Sequence, residues 1–79
     1  MASLYRDLKR MRHLMGVKGL LPWAAIEHIA GVDTPRGKAI KDAVSDQFPM
    51  APFSPIPSSM VMVERAIKAA EERIFLLSD

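Results

Sequence analysis

The sequence predicts a small all-α domain, four helices in one unit, with a proline-rich strap before the last. Three observations carry that prediction. Apolar residues recur at helical spacing near both ends of the chain. Small polar residues or prolines stand where helices would begin, and glycines where the first two would end. Four prolines, Pro49, Pro52, Pro55 and Pro57, interrupt the pattern once and rule out a helix there.

The first helix is expected over about residues 4–15, with Ser3 as N-cap. Leu4, Leu8, Met11, Leu14 and Met15 make its apolar stripe. Arg6, Lys9, Arg10, Arg12 and His13 occupy the remaining surface, and Gly16 is the natural stop. The second helix is expected over about 22–30. Pro22 suits its first turn, Trp23, Ile26, Ile29 and Ala30 can share a face, and Gly31 ends it. The third is expected over about 35–47. Thr34 or Asp33 caps it, Pro35 opens it, and Ile40, Ala43, Val44 and Gln47 or Phe48 point inward. Gly37 weakens its first turn, a loss that a close helix approach would justify.

The strap covers about 48–58. Its first three prolines and Met50, Phe53 and Ile56 each recur every third residue, as in polyproline II. That spacing suits a strap pressing an apolar ridge onto the helices. The last helix, about 59–77, begins at Ser58 or Ser59. Met60, Val63, Ile67, Ala70, Ile74 and Leu77 step by three and four, the signature of a heptad seam. Met62, Ala66, Ala69 and Phe75 widen the apolar surface, so this helix is expected to serve its own domain and a partner.

A chain of 79 residues buries only about 60% of its unfolded surface, so a partner is a physical help. There is no cysteine, hence no disulfide and no thiolate metal site, which fits a reducing cytoplasm. The two histidines, His13 and His28, have no third ligand at a telling spacing, so no metal is expected. "GVDTPRGK" lacks the spacing and ending of a phosphate loop, and no serine sits in a nucleophile elbow. Asp7, Glu27, Asp33, Asp42 and Asp46 read as caps and solvated faces. An enzyme, a cofactor, a small-molecule substrate and a membrane span are therefore not expected. Net charge is +2, but from Leu4 to Lys18 five cations face one acid, leaving +4 there and −2 elsewhere. The basic character belongs to the N-terminal part of the chain.

The stretch "PWAAIEHIAGVDTPRGKAIKDAVSDQF" resembles the helix-turn-helix family of DNA-binding domains, over about a third of the chain. Two short helix patterns flank a glycine turn, Val32 supplies an apolar turn residue, and cations open the second helix. The resemblance implies duplex DNA as partner, with Arg36, Lys38 and Lys41 directed at the groove. Arg10 and Arg12 would then grip the backbone. The sequence departs from the family in its turn, about three residues longer, and in a neutral second helix, three cations against three acids. Two roles are thus expected of a non-enzymatic binding protein. One is a DNA-binding transcription regulator, a homodimer through Met60, Val63, Ile67, Ala70, Ile74 and Leu77. The other is a compact protein-interaction module, an inhibitor or adaptor of the kind phages encode.

Overall fold

A computed structural model describes the backbone of residues 2–48 and 58–77, and the side chains of 3–48 and 58–74. Four helices follow one another: α1 (Ala2–Gly16), α2 (Pro22–Ala30), α3 (Pro35–Ser45) and α4 (Ser59–Leu77). The described residues contain no strand, so the protein is a small all-α domain. The expected strap lies almost wholly outside the described residues.

α1 and α4 pack along each other, and α2 and α3 complete the bundle against them. The core draws on every helix. Leu8, Met11 and Leu14 come from α1, Ala25 from α2, Ile40 from α3, and Val63, Ala66 and Ile67 from α4. Leu4, Met15, Ile26, Ile29, Ala43 and Val44 pack around it, half-buried. The expected stripes of α1 and α3 thus turn inward.

Element boundaries differ at three places. α1 begins at Ala2, which puts Ser3 inside its first turn rather than at the cap. Gly16 is still helical, and Gly19 takes the left-handed conformation, φ +70°. There the Leu20 amide donates back to the Leu14 carbonyl at 3.1 Å. α3 stops at Ser45, two residues early. The Gln47 and Phe48 amides instead donate to Val44 and Ser45, tightening the end into three-residue turns. Of Gln47 and Phe48, one of them expected inside, Gln47 is half-buried and Phe48 exposed. A proline follows Phe48 in the sequence, and the residue before a proline is steered away from helical backbone.

α2 also rotates relative to expectation. Ala25 takes the fully buried position, with Ile26 and Ile29 beside it. Two residues along a helix, Trp23 stands about 160° round from Ala25 and is 61% exposed. The corner between α2 and α3 is tightly specified. Gly31 caps α2 at φ +83°, and Asp33 adopts φ +54°, which a short polar side chain tolerates. The Thr34 hydroxyl donates to the Ala30 carbonyl at 2.9 Å and accepts from the Gly37 amide at 3.0 Å. One side chain therefore closes the end of α2 and the start of α3. Gly37 is buried there. A Cβ on it would stand 3.2 Å from the Thr34 hydroxyl and 3.4 Å from Ile26, so the close approach that would justify a helical glycine is realised.

Candidate functional site

Two surfaces emerge. The first lies on α1. Arg6, Lys9, Arg10 and His13 follow the i, i+3, i+4, i+7 spacing and are all exposed, forming one stripe opposite the helix's buried face. The Lys9 ammonium lies 5.2 Å over the Tyr5 ring, which restrains it. Arg12 is exposed too, but stands about 160° round the helix from Arg10. These two expected nucleic-acid contacts therefore belong to different sides of α1.

The only acid of this helix is absent from its wet face. Asp7 is 4% exposed, a correction to its reading as a solvated residue. Its place in the apolar stripe explains this: it lies one turn after Leu4 and one turn before Met11. A buried carboxylate requires a partner, and Arg36 supplies it from the first turn of α3. Arg36 Nε donates to Oδ2 at 2.7 Å and Nη2 donates to Oδ1 at 2.5 Å, a two-pronged guanidinium–carboxylate pair. The hydrogen bond, then the carboxylate's charge, raise the guanidinium pKa above its usual value. Among the described residues this is the one salt bridge. Arg36 is thus placed against Asp7 rather than directed outward to a groove. Burying Asp7 in this pair removes the acid from the surface of α1 and leaves the stripe uniformly basic.

The second surface is the open side of the α2–α3 corner. A groove of about 1020 Å³ runs between the two helices. Met11, Ile26, Trp23 and Val44 give it apolar walls. Lys38 and Lys41 line it from α3, Glu27 from α2 and Asp33 from the turn, with Asp42 also on the α3 side. The three expected groove-reading cations are thus divided: Lys38 and Lys41 share this mixed-charge cleft, while Arg36 points to α1. Val32, the apolar residue of the turn, is 67% exposed.

The expected partner seam on α4 faces its own domain. Val63 and Ile67 are core residues, and Ala70 packs against that core. The Met60 methyl lies 3.5 Å from the place a Gly16 Cβ would occupy. Ala70 and Ile74 line a hollow of about 90 Å³ with Leu4 and Ala43. The Leu77 side chain is outside the described residues. The physical reason is size: so short a chain needs this face to build a core at all. The outer side of α4 carries Glu64, Arg65, Lys68, Glu71, Glu72 and Arg73, three charges of each sign.

Among the described residues, no three His, Asp or Glu side chains converge as metal ligands, and no helix is long and apolar enough to cross a membrane. No family model matches the chain, and no characterised protein or solved structure matches it either.

Proposed function

We propose that this protein binds duplex DNA through the α1 stripe, with Arg6, Lys9 and Arg10 on consecutive phosphates and His13 at the end of the row. The supporting observation is the burial of Asp7 against Arg36, which leaves that face of α1 without an acid. Affinity for duplex DNA comes largely from neutralising phosphates and releasing their counterions. A stripe of one sign serves that purpose better than the mixed charges of α3. The sequence-based assignment of Arg36 to base contacts is thereby replaced by a positioning role, holding α3 to α1.

The test is binding to random-sequence duplex DNA across a salt series. Three phosphate contacts predict a slope of log affinity against log salt near −2.7, at roughly −0.9 per contact. Arg6→Ala and Arg10→Ala should each flatten it by about 0.9. Arg12→Ala, on the flank, should change it less. Binding that is absent at low salt, or indifferent to salt, overturns the reading.

A second reading, a protein-interaction module, is favoured by a separate observation: a mostly exposed tryptophan beside an apolar-walled groove.

A further inference from the structure

We propose that the α2–α3 groove is the contact between two copies of this chain, joined about a two-fold axis with Trp23 of each buried against the other. The proposal rests on the second reading above and is independent of DNA binding. It also moves the dimer contact from α4, whose seam packs on the core, to the groove between α2 and α3.

The apolar content of the groove calls for a protein occupant. Trp23, which lines it, is 61% exposed. A tryptophan offers about 150–250 Å² of surface, and buried aromatic anchors are characteristic of interface centres. The rigidity of the corner helps. Thr34 and Gly37 fix the two walls, so little order is lost on docking.

The arrangement of charge selects the occupant. On the α3 wall Lys38 and Lys41 outnumber Asp42, while Glu27 stands on the α2 wall and Asp33 in the turn, so one wall is net basic and the other acidic. A partner of single charge would satisfy one wall and be repelled by the other. A two-fold axis running along the groove sets the α3 wall of one copy against the α2 wall of the other, and whatever residue i meets in j, j meets in i. The lysines of one copy then face Glu27 and Asp33 of the other, and both pairs form together. The walls are thus complementary to themselves.

Sedimentation equilibrium and intrinsic fluorescence, over a concentration series without nucleic acid, test this. Trp23 is the chain's one tryptophan, so emission reports on this site alone. The expected result is a mass rising from one chain to two, with a blue shift of emission at the same midpoint. Lys41→Glu or Glu27→Lys should each weaken association roughly tenfold. Both substitutions in one chain should restore it, because each reversed charge again meets its opposite. All these positions are exposed, and an unchanged circular dichroism spectrum shows that the variants fold. Two results overturn the proposal. One is a monomer at every concentration with constant emission, which leaves the groove to a different protein. The other is a dimer that forms equally well with Trp23→Ala and Lys41→Glu, which places the contact elsewhere. The association series contains no nucleic acid, and Arg6→Ala and Arg10→Ala leave the groove untouched, so failure here and failure of the DNA reading are separate.

Discussion

Along α1 and α4 the chain meets itself with aliphatic side chains. Leu8, Met11, Val63, Ala66 and Ile67 have little or no exposure, and the charged residues of both helices, Asp7 excepted, point outward. At the α2–α3 corner the arrangement is different. Its helices span nine and eleven residues, too short to persist alone in water. Ala25 and Ile40 anchor them in the core, and a hydroxyl, a buried glycine and one long-range ion pair add directional contacts. The α1–α4 side supplies most of the cohesion, and the corner, where directional contacts add to the packing of Ala25 and Ile40, keeps its tryptophan and groove open. A small domain cannot bury every apolar face. Here Trp23 and Val32 are the part of the unburied remainder that lies on the α2–α3 side, while Val17, Phe48 and Val61 are exposed elsewhere.

The largest effect should fall on the cohesive side. Leu8→Ala removes a fully buried side chain and should cost about 2–5 kcal/mol, the lost transfer energy plus a cavity. Measured by denaturant titration, that is a large part of what a domain of this size possesses. A loss under about 1 kcal/mol would mean that the α1–α4 interior collapses around the gap. The contrast between the two sides would then fail at its stronger end.

Next come the two ends of the ion pair, which should not be equivalent. Arg36→Ala strands a carboxylate in an apolar stripe, where water cannot reach it. Asp7→Leu instead extends the stripe and releases Arg36, whose side chain is 57% exposed, into solvent. The arginine variant should therefore unfold at clearly lower denaturant, while the leucine variant stays level or improves. Equal losses from both would show that the pair itself, and not the burial of Asp7, sets the energy.

That pair also marks how far the sequence can be read. The helices were legible because their stripes and caps are local. The stripe of α1 and the inner residue Ile40 of α3 follow directly from spacing. Asp7 carried a readable sign as well, since its position in the apolar stripe of α1 demands a buried partner. The identity of that partner was not readable. Arg36 lies twenty-nine residues away, and only the packing of α3 on α1 brings it near. For the same reason the seam on α4 suggested an external partner: periodicity identifies an apolar face but not what covers it. The rotation of α2 that exposes Trp23 followed from Ala25 taking the central place, a choice made by α1 and not by the local pattern. The groove belongs to no single element, so nothing in any one segment announces it.

The smallest of these effects should come from Thr34, and it bears most directly on how the corner is held. Thr34→Val keeps the shape but loses both hydrogen bonds, the one donated to Ala30 and the one accepted from Gly37. Losing an N-cap costs about 1 kcal/mol, up to about 2. In a domain this size that lowers the melting temperature by roughly 4–8 °C per kcal/mol. Thr34→Ser keeps the oxygen and should retain most of the stability, which separates the polar contacts from the packing of the methyl group beside Gly31. If valine melts with the native chain while serine falls below it, the methyl fixes the corner. Both sides of the molecule would then be held by apolar packing, and the fixed walls of the groove would need another cause.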